Sequence, residues 1–364
     1  MKRFLLLPLL FFIVISAACI GFRAPTVTTS SSSPNYTTTI SPTPETRNMT
    51  LVWHLDKHGE PFMDLTPDGS LAAVVDWERA IVYLVKPNGT DRSFEVEEGA
   101  VISGIAIKNE TVYVLGSYKD YSGVKKYSWW GPVGVEKHGW AGSVADSIAR
   151  SPSGNHLCYL VTTGATTQEL YCDGKKMELN PNDYDLNSVS DSGVVVLARA
   201  DKAFVFKEGL EMLSFNTSNV IAYRDRLLSS EGEKLRVYSL NGDVLAKREG
   251  YTFRMTTLMR WTLIPTGKYI FRYEPLEDTS VLTWNLTELR TLPGFPYFAN
   301  ENFVVTAKDG LIHCYSLEDF HEVFSMKVPG DSLGYVKLSN DGRVLILSDE
   351  FGGFWLYKAA DSRG

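Results

Sequence analysis

Residues 64–86 read DLTPDGSLAAVVDWERAIVYLVK, and residues 336–358 repeat the pattern as VKLSNDGRVLILSDEFGGFWLYK. Each copy is a short strand, a turn containing Asp-Gly, an apolar strand, a break and a third strand. Four further stretches keep this order with lower fidelity, from SIARSPSGNHLCYLVTTGATTQELYCDGK to FANENFVVTAKDGLIHCYSLE, and two more keep the strands but lose the glycine of the first turn. The turns centre on Asp68, Asn109, Ser153, Ser192, Asp225, Thr266, Asn300 and Asp341, seven intervals that average 39 residues. A recurring unit of about 40 residues made of short strands is one four-stranded blade of a β-propeller. The chain is therefore predicted to be all-β, a propeller of eight blades, or seven if one weak copy is not a blade. The final repeat ends at its third strand, GFWLYK, and TLVWHLD at 50–56 is the segment available to supply the missing fourth. Closing the ring in this way removes an exposed sheet edge.

The spacing and the first hairpin make residues 50–360 resemble the WD-repeat and quinoprotein-like β-propellers. The Gly-His and Trp-Asp dipeptides of strict WD repeats do not recur, and the tryptophan docking motifs of quinoprotein propellers are missing, so the resemblance implies architecture and carries no activity with it.

Ahead of the repeats, Lys2 and Arg3 precede fifteen uncharged residues ending in Ala17 and Ala18. A basic start, an apolar run and small residues make a signal peptide over 1–18. The run is short for an uncleaved membrane anchor and Pro8 interrupts it. Ser16-Ala17-Ala18-Cys19 resembles a bacterial or archaeal lipoprotein box, with Ser16 where that pattern prefers Leu, Val or Ile. The resemblance implies a lipid on Cys19 and a protein anchored to the outer face of the cytoplasmic membrane. An unmodified cysteine beside an ordinary cleavage site is the alternative. Residues 19–49 are rich in Ser, Thr and Pro and read as a linker. Six Asn-x-Ser/Thr sequons, at Asn35, Asn48, Asn88, Asn109, Asn216 and Asn285, agree with export. Gln168 is the only glutamine, a depletion that points to a heat-adapted, archaeal source. A net charge of −7 argues against a nucleic-acid-binding surface.

Cys158 and Cys172 flank a hairpin centred near residue 165 and would face each other, either as a disulfide or as two thiols; Cys314 lies inside an apolar strand. Candidate binding-face residues on converging loops are Trp77, Arg79, Tyr118, Tyr121, Trp140, Arg254, Arg260 and Phe351. Aromatic rings with arginines suit stacking on sugars or gripping a protein. YSWWGPVGVEKHGWAG, 127–142, is the densest aromatic stretch; it reads either as a contact patch or as two strands whose rings pack between blades. The six histidines form no metal spacing, and no nucleophile elbow, phosphate loop or dinucleotide fingerprint occurs. No cofactor or metal is expected. The reading is an exported propeller that binds a protein, glycan or envelope component, with a propeller hydrolase, lyase or dehydrogenase as the rival.

Overall fold

Alternating apolar residues between turn-forming residues leave each strand two faces to bury, and the chain meets that demand by stacking sheets around an axis. In the computed structural model, residues 46–56, 62–179, 183–231, 234–249, 263–273, 278–330 and 332–360 are described. Cys19, Asn35, Arg254 and Arg260 lie outside the described residues.

The first strand is β1 (Met49–Leu55). Blade 1 follows with β2 (Phe62–Leu65), β3 (Ala72–Asp76), β4 (Ile81–Val85) and β5 (Asp91–Glu95). Blade 2 is β6 (Val101–Lys108), β7 (Thr111–Ser117), β8 (Ser122–Ser128) and β9 (Gly131–His138). Blade 3 is β10 (Val144–Arg150), β11 (Leu157–Thr162), β12 (Gln168–Cys172) and β13 (Lys175–Leu179), and blade 4 is β14 (Asp185–Val189), β15 (Val194–Arg199), β16 (Lys202–Lys207) and β17 (Leu210–Phe215). Blade 5 is β18 (Val220–Tyr223), β19 (Arg226–Glu231), β20 (Lys234–Ser239) and β21 (Val244–Arg248), and blade 6 is β22 (Leu263–Pro265), β23 (Tyr269–Tyr273), β24 (Thr279–Thr283) and β25 (Glu288–Leu292). Blade 7 is β26 (Phe295–Ala299), β27 (Phe303–Lys308), β28 (Leu311–Ser316) and β29 (Glu322–Lys327); the chain ends with β30 (Val336–Leu338), β31 (Val344–Ser348) and β32 (Phe354–Ala359).

These strands form eight four-stranded antiparallel sheets, so the count is eight and not seven. Blade 8 runs β1-β32-β31-β30, and β1 pairs antiparallel with β32 from Met49 opposite Ala359 to Leu55 opposite Phe354. The N-terminal strand thus closes the ring, as the missing fourth strand of the last repeat requires.

Each join between neighbouring blades has its own apolar cluster, and the pleat assigns residues to them by parity. Ala73 and Val75 of β3 pack toward Val112 and Val114 of blade 2. Ala72 and Val74, one step out of phase, pack toward Ile346 and Leu356 of blade 8. A middle strand is buried on both sides, which is why AAVV and VLIL read as continuous apolar runs. Each such Val or Leu removed from water contributes about 1.5–3 kcal/mol.

The turn after the first strand takes one form in blades 1, 3, 4 and 8. Gly69 N–H closes onto Thr66 O (2.9 Å) and Gly342 N–H onto Ser339 O (2.9 Å), with φ of +72° and +69°. Those angles favour glycine, which accounts for Asp-Gly and Ser-Gly at these positions. In blade 2, Asn109 and Glu110 both adopt positive φ (49° and 59°), a two-residue turn that does without glycine.

Because every sheet is a meander, the ring has two unlike faces. Turns between first and second strands, and between third and fourth, emerge on what is here named the turn face. Loops between second and third strands, and the blade-to-blade connections, emerge on the opposite loop face. The chain enters β1 on the turn face. There Arg47 N–H donates to Val323 O (2.7 Å), its Nη1 donates to Asp341 O (2.7 Å), and its guanidinium lies 5.7 Å from the Phe303 ring centroid.

Candidate functional site

Trp77, Arg79, Tyr118, Tyr121, Trp140 and Phe351 all fall on loop-face segments. The loops differ in what they do with these side chains. Asp76 ends β3 with its side chain buried, and its Oδ1 accepts Arg79 N–H (3.0 Å) while Oδ2 lies 3.7 Å from Arg79 Nε. Asp349 stands at the matching place after β31, where its Oδ1 accepts the N–H groups of Phe351 (2.9 Å) and Gly353 (2.8 Å). Each aspartate satisfies the backbone of its loop from below, which turns Trp77 and Phe351 outward. Trp140 is held by a short loop in which Ser143 N–H donates to Trp140 O (2.9 Å) and Ser143 Oγ accepts Trp140 N–H (2.8 Å).

Tyr335 joins this set although nothing in its neighbourhood marks it as a loop aromatic. Its N–H donates to Ser348 Oγ (3.0 Å) and its carbonyl accepts Ser348 N–H (2.9 Å), which fixes the connection from blade 7 beside the Phe351 loop. Trp77, Trp140, Tyr335 and Phe351 are 39–59% exposed. Tyr118 and Tyr121 are not part of that surface. Both are buried in the join between blades 1 and 2 with ring centroids 4.8 Å apart and planes tilted by 31°, and Tyr118 Oη donates to Val114 O (2.9 Å).

A second constellation crosses the central channel at its turn-face end, and spacing alone does not foretell it because its members come from four blades. Arg150 grips Asp64 with two bonds, Nε to Oδ2 (2.7 Å) and Nη2 to Oδ1 (3.1 Å), and Ile107 N–H adds a third (2.8 Å). Lys337 Nζ stands 4.0 Å from Asp64 Oδ1. Burial pushes the Asp64 carboxyl up, but Arg150, Lys337 and the Ile107 N–H outweigh it and hold it below 3.8. Burial pushes the Lys337 ammonium down against the pull of Asp64. A carboxylate gripped this way works as a clasp between blades.

The third constellation lies between blades 2 and 3. His138 rests 2.9 Å from Tyr159 Oη and stacks on Tyr171 with centroids 3.8 Å apart. Tyr159 Oη donates to Glu136 (2.5 Å) and Tyr171 Oη to Glu169; Lys126 pairs with Glu136 and Lys176 with Glu169 (2.5 Å). Burial lowers the His138 pKa below 6.5, against the pull of Glu136 and Glu169. A cleft of about 340 Å³ runs alongside, lined by Lys108, Tyr113, Lys126, Glu136, Tyr159 and Asp173 among others. The aromatic stretch 127–142 contributes Glu136 to its lining, and its tryptophans lie elsewhere. In it Trp129 is packed under Lys86 (4.2 Å), while Trp130 at the β8–β9 turn is 80% exposed.

Cys158 and Cys172 sit directly opposite on β11 and β12 and are joined in a disulfide. Cys314 is a buried free thiol whose pKa burial raises. Among the described residues no group of three or more His, Cys, Asp or Glu could hold a metal ion.

No family model matches the chain. It is 60% identical over 318 residues to an uncharacterized protein of Archaeoglobus fulgidus, a match covering 86% of this chain and 90% of that protein. The chain belongs to that protein's family. Among solved structures, this family member is similar to the C-terminal WD40 domain of Sif2, with a TM-score of 0.61 at 13% identity over 87% of this chain and 99% of that one. It is likewise similar to the computationally designed Ika8 protein, with a TM-score of 0.63 at 13% identity over 85% and 99%. At such identity the likeness establishes the propeller fold alone.

The sequons of this family member divide between the faces. Asn48, Asn88, Asn109 and Asn285 are exposed on the turn face, beside the point where the chain enters β1 or in hairpin turns. Asn216 is exposed on the loop face, in the connection from blade 4 to blade 5.

Proposed function

We propose that the chain is an extracytoplasmic β-propeller, tethered to the outer face of the cytoplasmic membrane by a lipid on Cys19, that acts as a binding or scaffold module. The observation that carries the binding role is the loop face. It exposes Trp77 and Phe351 on loops whose aspartates Asp76 and Asp349 accept backbone N–H groups, and Trp140 and Tyr335 on connections pinned by Ser143 and Ser348. Large rings held outward on rigid loops favour association, because they bury much apolar area at little cost in side-chain entropy. The rival reading, a propeller enzyme, draws its support from the cleft beside Glu136 and His138. There Glu136 already has the Tyr159 hydroxyl and the Lys126 ammonium, and Asp173 has Lys108 and His156, an arrangement suited to cementing two blades.

Lipid-precursor labelling tests the tether: the wild-type chain is expected to carry label and sediment with membranes, and Cys19→Ser to lose both. Label in neither protein, or in both equally, would remove the lipid from the proposal. Glu136→Gln separates the rivals, since a binding module keeps its partner affinity in that variant and an enzyme using the cleft loses turnover.

A further inference from the structure

The two faces differ in three respects that bear on how such a module is presented. The first is the point of entry. Arg47 is pinned to Val323, Asp341 and Phe303 at the turn face, and the Cβ of any other residue at Gly342 would meet Arg47 Nη1 at 2.7 Å. The 26 residues from 20 to 45 could reach at most about 90 Å, and they join the propeller at its turn face. The second is the sequons, of which four of the five described lie on the turn face, with the fifth at the join of blades 4 and 5.

The third is the sector occupied by exposed rings. Trp77, Trp140, Tyr335 and Phe351, with Val101 and Val144, lie on the loop face of blades 8, 1, 2 and 3, whereas Trp130 stands alone among exposed rings on the turn face and exposed apolar residues of blades 4 to 6 lie on outermost strands, among the described residues. The same sector is acidic. Its loops carry Asp56, Glu78, Glu97, Glu98, Asp120 and Glu350 at or near the surface against Arg79, Lys119, Lys137 over the Tyr121 ring and Lys125, which is spent on Glu97 (2.7 Å), so the net excess of acid rests on Asp56, Glu78, Glu98, Asp120 and Glu350. Rings among carboxylates repel anionic glycans and nucleic acids and complement a protein that offers Lys or Arg beside an apolar side chain.

We propose that the loop face of blades 8 to 3 docks a basic protein segment on the side away from the membrane, while the turn face carries the tether and the N-glycans. This deepens the proposed binding role and rests on it. Burying one ring in a partner's pocket, with two or three carboxylates around it, supplies both anchor and register.

The test uses the full-length chain and a phage-displayed library of random 12-residue peptides. Enriched peptides are expected to pair Lys or Arg with an aromatic or aliphatic residue and to bind more weakly as salt rises. The triple variant Glu78→Lys, Glu98→Lys, Glu350→Lys should weaken them by about tenfold or more, and Phe351→Ala by a similar factor. Unchanged melting curves would exclude misfolding. Enrichment of acidic peptides, none at all, or equal binding to the triple variant would overturn the docking surface. So would neutral oligosaccharides such as cellohexaose, anionic vesicles, or a second copy of the chain taking that face instead. Binding by Cys19→Ser at wild-type strength, combined with failed lipid labelling, would leave the surface standing and remove the tether. Peptide affinity that falls when the lipidated chain is placed on vesicles would overturn the orientation. Glycopeptide mass spectrometry of the native protein is expected to find sugar at Asn88, Asn109 and Asn285, and modification at Asn216 alone would overturn the division between faces.

Discussion

The same aspartate-bearing repeat builds both ends of blades 1 and 8, to different purpose. On the turn face Asp68 and Asp341 lie inside the hairpin, where Asp68 Oδ1 accepts Ser70 N–H (3.0 Å) and Asp341 Oδ1 accepts Arg343 N–H (3.0 Å). On the loop face Asp76 and Asp349 sit beneath the loop and leave its side chains free to point outward. A turn that folds on itself fixes the geometry of its strands and offers little to a partner. A loop held from below is rigid and yet displays what it carries. The difference between the faces is therefore a difference between residues committed to the backbone and residues released from it.

The largest effect should come from the clasp at the turn-face end of the channel. Asp64→Ala strands the buried Arg150 guanidinium and leaves Lys337 without its counter-ion, a loss expected to cost about 3–5 kcal/mol in denaturant unfolding. Adding Lys337→Met to Asp64→Ala should restore part of that, since one uncompensated charge is then gone. If Asp64→Ala unfolds at the wild-type midpoint, the clasp is idle and the turn face owes its rigidity to the hairpins alone.

Next comes the bond between Cys158 and Cys172, which closes a 14-residue separation in blade 3. A cross-link of that span contributes about 3 kcal/mol, chiefly by restricting the unfolded chain. The paired Cys158→Ser, Cys172→Ser variant should unfold at the midpoint that the wild type shows in reductant, and reductant should not move the variant further.

What the sequence makes legible follows the same division. The hairpins of blades 1, 3, 4 and 8 are readable because a positive φ demands Gly69, Gly154, Gly193 and Gly342, and a repeated demand leaves a repeated letter. Closure by β1 is readable because a missing strand has to be supplied. The clasp is not, because Asp64, Ile107, Arg150 and Lys337 meet only once the ring is closed and no spacing encodes the meeting. Loop residues are half legible. Aromatics could be assigned to loops from their place in the repeat, but Tyr118 and Tyr121 turn inward to fill the join with blade 1, while Tyr335 turns outward, and local sequence does not distinguish these fates. The organising pair Asp76 and Asp349 did leave a signal, since both follow the second strand of the two clearest copies.

Acid should sharpen the contrast in two steps, one at the join of blades 2 and 3 and one at the clasp. His138 has a folded-state pKa below 6.5, so its neutral form is the one the fold favours. The associated stability is complete above pH 6.5 and is lost as pH falls through the lower folded value. Asp64, held below 3.8, contributes stability that is complete above the unfolded carboxyl pKa and is lost as pH falls through its folded value. His138→Gln should flatten the first slope and leave the second, and Asp64→Asn should do the reverse from a lower starting stability. A first slope that survives His138→Gln would assign it to another group.

The smallest expected change in stability belongs to the residues that face outward. Trp77→Ala, Trp140→Ala and Phe351→Ala remove side chains that are 39–59% exposed, and surface substitutions of this kind stay within about 0.5 kcal/mol of wild type. Trp77→Ala should keep its loop, because Asp76 Oδ1 holds the Arg79 N–H and not the indole. Asp76→Ala should destabilise further than Trp77→Ala, since it exposes the loop's backbone donor to a buried site with no acceptor. Denaturant midpoints of these four variants, measured side by side, decide the matter. A loss above about 2 kcal/mol for Phe351→Ala would mean that the ring packs into its own blade, and the loop face would then be as fully committed to the fold as the turn face.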